Sequence, residues 1–215
     1  MNRPILPALV LALAPLSAAH AAQVTWTDWT TSNPGLVTGT LAVPSGNIGV
    51  SASGAFIRTQ ISGGTNYWIP SAPYIGAAIE NAPPGTDIIE LNVGGTETIT
   101  FSQAVVDPLI ALVSWNGNTV KFSTPIDIVS HGRGFWGDGT PVPNATGDGF
   151  FGSGEVHGVV RLPGTYTSIS FTHTSENWHG FTVGITSAVP EPDTRVLLAL
   201  ALPLLALSLR RRTRR

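Results

Sequence analysis

"LIALVSWNGNTVKF", residues 109–122, is the stretch that decides the fold. Leu109 to Val113 is an unbroken apolar run, too short for a helix and too apolar for a strand with one wet face. Such a run suits a central strand covered on both sides. Asn116-Gly117 follows, the dipeptide most at home in a tight hairpin turn. A two-residue loop there pairs Val113 with Val120 and Ala111 with Phe122. It gathers Ala111, Val113, Trp115, Val120 and Phe122 on one face. The spacing predicts a β-hairpin.

The stretch upstream, "IIELNVGGTETITF" at 88–101, gives a second expected hairpin. A three-residue loop at Val93-Gly94-Gly95 sorts Ile89, Leu91, Ile99 and Phe101 onto one face and the polar residues onto the other. A two-residue loop would scramble them. Nearer the N-terminus, "GLVTGTLAV" and "GNIGVSASG" read as two strands, and 63–84 as a long loop with a short strand. Towards the C-terminus "EVHGVVRL", "TSISFTHT" and "GFTVGIT" read as a three-strand meander. The pattern predicts about ten strands in an all-β, antiparallel two-sheet sandwich of the jelly-roll or lectin-like kind, with no strict internal repeat.

The two ends of the chain are of another character. Arg3, the apolar stretch Ile5–Leu16 and the small residues of "SAAHAA" form the pattern of a secretory signal peptide, residues 1–21, cleaved after Ala21. Val196 to Leu209 is a 14-residue apolar run flanked by Arg195 and a cluster of arginines at 210–215. As a helix it would cover about 21 Å of a hydrocarbon core of about 30 Å, a gap that snorkelling arginines and local thinning can close. Arg210, Arg211 and Arg212 would hold the C-terminus in the cytoplasm.

Between these ends, residues 22–188 form the expected ectodomain. It carries four cations (Arg58, Lys121, Arg133, Arg161) against eleven anions, a net of −7 that the whole-chain value of −2 conceals. A surface of that sign has no cation cluster for phosphate and excludes nucleic acid as a partner. The chain has no cysteine, so its stability must come from a core, and thiol chemistry is excluded.

Val189, Pro190, Glu191 and Pro192, followed by the apolar run and then Arg210–Arg212, resemble the PEP-CTERM sorting signal of Gram-negative bacteria, residues 189–215 here. The order of motif, helix and basic stop is the family's. The ectodomain is also similar, in "ALVSWNG", "GFFGSGEVHG" and "HTSENWHGFTVGI", to uncharacterised ectodomains that carry this signal. The resemblance implies an exosortase that cuts near the Pro-Glu-Pro after signal peptidase has removed residues 1–21. The membrane contact through the C-terminal helix would then be temporary. The chain would pass the inner membrane and end at the cell surface or in an exopolysaccharide matrix. The two prolines keep the segment extended, a form a processing enzyme can grip.

Candidate chemistry concentrates in "SHGRGFWGDGTPVPNATGDGFFGSGEVHG", residues 130–158, too long and glycine-rich for a plain connector. Asp138, Asp148 and Glu155 are calcium candidates, since glycine-rich loops also offer carbonyls, although their spacing fits neither an EF-hand nor the nonapeptide calcium repeats. Trp136, Trp178 and Tyr67/Trp68 are candidate platforms for a sugar ring, flanked by Asp138, Asp148 and Glu155. Trp136 lies among glycines rather than in an alternating strand, which predicts an exposed ring. His157, His173 and His179 with Glu155 and Glu176 are the residues from which a catalytic site would have to be built. No zinc spacing or nucleophile elbow accompanies them, so no catalytic residue is assigned and the histidines are expected to satisfy backbone groups.

Three functions follow as expectations. The first is a non-enzymatic matrix protein that binds exopolysaccharide. The second is a glycan hydrolase, requiring two carboxylates about 5–10 Å apart in a cleft. The third is a purely structural or adhesive protein, with no deep pocket and an exposed apolar or Thr-rich face. Processing is directly measurable: protein recovered from the producing cells should lack residues 1–21 and everything beyond about 190. An intact mass at the full 22.5 kDa would count against both cuts.

Overall fold

The computed structural model describes residues 21–76 and 78–186. The signal-peptide stretch through residue 20, the Val189–Pro192 motif and the apolar run 196–209 lie outside the described residues. Among the described residues no helix is long and apolar enough to cross a membrane.

Two antiparallel sheets pack face to face. The seven-stranded sheet holds β1 (Val24–Trp26), β5 (Arg58–Gln60), β6 (Ile88–Leu91), β8 (Leu109–Trp115), β10 (Asp127–His131), β13 (Val156–Arg161) and β15 (His179–Thr186). Its order is β10-β13-β8-β15-β6-β5, with β1 added on β15. The eight-stranded sheet holds β2 (Asp28–Asn33), β3 (Leu36–Val43), β4 (Gly46–Ser53), β7 (Gly95–Val106), β9 (Thr119–Phe122), β11 (Gly139–Pro143), β12 (Gly149–Gly154) and β14 (Thr165–His173). Its order is β11-β12-β9-β14-β7-β4-β3-β2. Fifteen described strands thus replace the expected ten, because short strands such as β5, β10 and β11 hide in sequence that reads as loop.

Both expected hairpins are corrected. β8 pairs with β13 and β15, while β9 pairs with β12 and β14 in the other sheet. Asn116-Gly117 therefore turns the chain from one sheet to the other, with Gly117 at φ 72°. The same holds for 88–101: β6 pairs with β5 and β15, and β7 with β4 and β14. The expected meander also splits, since β14 lies opposite the sheet that holds β13 and β15. From β6 onward every connection crosses between sheets except β11–β12. The face sorting nevertheless holds for the first pair, for Ile89, Leu91, Ile99 and Phe101 share one core. Inward residues of two facing strands meet in that core just as those of two paired strands do.

For β8 the sorting changes, and the reason is local. Ile110 and Leu112 face the inter-sheet core, so strict alternation would point Trp115 away from it. Ser114 adopts φ 59°, and four residues of β8, Leu112 to Trp115, lie opposite three of β13, Val156 to Gly158. This bulge rotates Trp115 inward. Its indole, fully buried, donates to the Gly180 carbonyl at 2.8 Å and packs among Phe150, Phe171, His173 and His179.

The run 109–113 is covered on both faces as expected. Leu109, Ala111 and Val113 face a second core made with Val24, Trp26, Trp68, Tyr74 and Ile79. The segment between β5 and β6 lies across the seven-stranded sheet and supplies Trp68, Tyr74 and Ile79. Among the described residues the eight-stranded sheet has no such cover. Its outer face carries hydroxyls, with Thr31, Thr38, Ser51, Thr100 and Ser168 in register across five strands. Two shallow hollows there are lined by Ser123, Ser170 and Thr172, and by Thr38, Ser51 and Ser102.

Truncating Trp115 to Ala should cost about 3–5 kcal/mol in urea unfolding, the range for a large aromatic lost from a core. Trp136→Ala, at a ring 57% exposed, should cost under about 1 kcal/mol. Similar costs for the two would refute the bulge-directed core.

Candidate functional site

One end of the sandwich gathers the residues of interest. β6, β8 and β10 end there, and β13 and β15 begin there, as the pairs His179↔Leu91, Val156↔Trp115 and His131↔Gly158 require. Crossings between sheets need loops, and loops that meet at one end of a rigid sandwich are where binding side chains collect.

Four rings from three chain segments touch there. Tyr67 packs edge-on against Phe135 at 5.1 Å and against Trp178 at 4.8 Å. Trp136 lies 5.1 Å from Phe135 and 6.4 Å from Trp178. Trp136 is exposed, as expected from its glycine neighbours, and the other three are half-buried. The loop that offers Trp136 is held tightly: Gly134 donates to the Gly137 carbonyl at 2.8 Å, and Gly137 sits at φ 147°. Trp178 Nε1 donates to Glu90 Oε2 at 2.7 Å. Glu90 Oε1 accepts from Arg58 Nε at 2.9 Å, and Arg58 also reaches the Tyr67 hydroxyl at 3.2 Å.

Carboxylates flank this cluster. Glu155 accepts from Ser114 Oγ and, at 2.9 Å, from Asn116 Nδ2. The Asn116 backbone N–H donates to Glu176 Oε2 at 3.2 Å. Glu155 and Glu176 therefore converge on Asn116. Asp138 is attached to the same corner, its carbonyl accepting from the Glu155 N–H at 3.0 Å.

Of the residues named from sequence, Trp136, Trp178, Asp138 and Glu155 are brought together, and Tyr67 joins them. Trp68 does not: it is buried in the second core, its Nε1 bound to the Asp87 carbonyl. Asp148 does not either. It stands at the far end of β12, about 20 Å of strand from Glu155. There Thr146, Asn144 and Lys121 bind its carboxylate, and the first two hold it below the usual carboxylate range. Among the described residues no group of three or more His, Asp or Glu side chains is placed to hold a metal ion. Arg58, Glu90 and Phe135 were not singled out in sequence. Arg58 and Glu90 meet only through the β5–β6 pairing, Arg58↔Glu90.

The histidines, expected to satisfy backbone groups, are corrected to buried residues that serve side chains. Beneath the site, His173 Nε2 meets Glu97 Oε1 at 3.2 Å and His179 Nε2 meets His173 Nδ1 at 3.0 Å. His179 Nδ1 then faces Glu176 Oε2 at 3.4 Å and Asn118 Nδ2 at 3.5 Å. With a carboxylate at Glu97, His173 donates from Nε2 and accepts at Nδ1 from His179. Burial pushes His179 below the usual histidine range, against the pull of Glu176. Gly54 makes room for Glu97, for a Cβ there would overlap its carboxylate.

His157 is separate. Fully buried, its Nδ1 meets the Tyr74 hydroxyl at 3.1 Å, and its Nε2 has no partner among the described residues. Gly134, from the Trp136 loop, lies directly against the ring. Burial lowers His157 to about 4, with Glu155 and Asp138 opposing.

No family model, curated protein or solved structure matches this chain.

The depressed His157 has a pH signature. The unfolded chain takes up this proton near pH 6.5 and the folded one only near pH 4, so stability is lost as pH falls through that window. The loss should be about 3 kcal/mol. His157→Gln should flatten the dependence of Tm on pH between about 6.5 and 4; an unchanged slope would show that His157 is not its source.

Proposed function

We propose that this is an exported, non-enzymatic β-sandwich protein of the cell surface or matrix that binds exopolysaccharide. The observation that carries the reading is the cluster of Tyr67, Phe135, Trp136 and Trp178 with polar groups fixed at its edge. A sugar ring presents apolar C–H faces and a rim of hydroxyls. An exposed indole supplies the flat partner for the first, and Asn116, Glu155 and Asp138 supply hydrogen-bond partners for the second. The rings come from separate segments but are braced by Glu90 and Arg58, so little ordering is left for the ligand to impose.

The address of the protein belongs to the same proposal. Signal peptidase and an exosortase act on the two ends, and the Val189–Pro192 motif with its helix and Arg210–Arg212 tethers the chain to the inner membrane until it is cut. The repeated crossing between sheets supports a jelly-roll or lectin-like relationship for the ectodomain. The net charge of −7 speaks against nucleic acid.

A hydrolase reading draws on one observation, the meeting of Glu155 and Glu176 at Asn116. Both carboxylates are engaged as acceptors there, and binding is the function the arrangement favours. Residues 22–188 should be retained by matrix polysaccharide in a pull-down. Trp136→Ala and Trp178→Ala should each weaken retention about tenfold or more, while releasing no change in reducing ends. Retention on no polysaccharide, with or without calcium, would end the binding proposal; release of reducing ends by the wild-type chain alone would replace it with the hydrolase.

A further inference from the structure

Resting on the platform just described, we infer that the site selects polysaccharides bearing free amino groups and turns away uronate-rich ones. The groups around the rings decide this. Glu90, Glu155, Glu176 and Asp138 are the carboxylates at this end. Among the described residues the arginines there are Arg58 and Arg133. Arg58 is already committed, its guanidinium 2.8 Å from Glu90 and bonded to Tyr67. Arg133 is exposed in the loop that leads to Trp136. The local balance is negative, in the sense of the whole ectodomain.

A protonated amino group is attracted by two features at once. The face of an indole attracts a cation, and the Trp136 indole is exposed. The Glu155 Cβ and Cγ lie against Gly137, the residue after Trp136, so an acidic side chain borders the loop that carries the ring. Asp138 follows directly and is exposed, its Oδ1 accepting from the Gly139 N–H at 2.9 Å. A uronate meets the opposite conditions: like charges close by, and the guanidinium that touches the rings, Arg58, already held by Glu90 and Tyr67 instead of forming the paired bonds that carboxylates favour. A neutral ring keeps the stacking contact and gains nothing from the charges.

Retention of the full-length protein on three polymers tests this: a glucosamine polymer, its fully N-acetylated counterpart and polygalacturonate. The glucosamine polymer should bind about tenfold more tightly than the acetylated one, and polygalacturonate should not bind. In about 1 M salt, where screening extends to about 3 Å, the preference should shrink towards unity. Glu155→Gln and Asp138→Asn should each lower the preference. Asp28→Asn, on strand β2, should leave it intact. Equal affinity for the two glucosamine forms, or a preference for polygalacturonate, overturns the inference and leaves the platform standing. A preference that survives Trp136→Ala at full strength also overturns it, because it then belongs to general surface charge. Retention on none of the three polymers or on any matrix polysaccharide overturns the platform and this inference together.

Discussion

The end of the sandwich that carries the four rings depends on the placement of one side chain, Trp115. Its fully buried indole fixes the Gly180 carbonyl through a 2.8 Å hydrogen bond and rests on Phe150 and Phe171 from the opposite sheet. The residues on either side then have little freedom. Ser114, left-handed so that Trp115 can turn inward, presents its hydroxyl to Glu155. Asn116, where the chain leaves for the other sheet, holds Glu155 with its side chain and Glu176 with its backbone. Three consecutive residues thus join the core, the sheet crossing and the polar edge of the aromatic cluster. A non-glycine residue at φ 59° is an uncommon expense, and its recovery here is visible in the packing of Trp115.

Period-two alternation told which side of each strand would be buried, and much of that was legible. Ile89, Leu91, Ile99 and Phe101 meet as the alternation requires, and Leu109–Val113 is covered twice. Alternation does not tell which sheet a strand joins. A hairpin and a crossing between sheets both send inward residues to the same core, and both accept Asn-Gly at the turn. The difference lies in the partners: β8 is flanked by β13 and β15, which arrive over 40 residues later. Long-range competition of this kind is absent from a local window. The bulge at Ser114 was illegible for a related reason, since nothing in "VSWN" breaks the alternation.

The site shows the same division. Trp136 announced itself by its glycine neighbours, and Trp178 and Glu155 by their company. Phe135 reads as an ordinary loop aromatic until Tyr67 arrives from a segment more than 60 residues upstream. His173 and His179 look like polar residues near a turn. Only the pairing of β14 with β7 and of β15 with β8 turns them inward, where Glu97 already waits.

Why a small domain should bury Glu97, His173, His179 and Asn118 is a question of specificity rather than of stability. Charged and amide groups cost free energy to dehydrate, and an apolar set of equal volume would often be no worse. What an apolar set lacks is direction. Glu97 and His173 belong to the eight-stranded sheet and His179 to the seven-stranded one, so the chain of hydrogen bonds spans the sandwich. A slip of either sheet by one residue would turn these side chains outward and strand their partners in the core. From β6 onward, where every connection except β11–β12 crosses between sheets, hairpin turns do not position the two sheets, and a directional contact across the core takes over that task. The chain ends at Glu176, and Glu176 is held by Asn116. The register of the core is thereby passed to the loops that carry Trp178 and face Glu155, which keeps the four rings and their carboxylates in one arrangement.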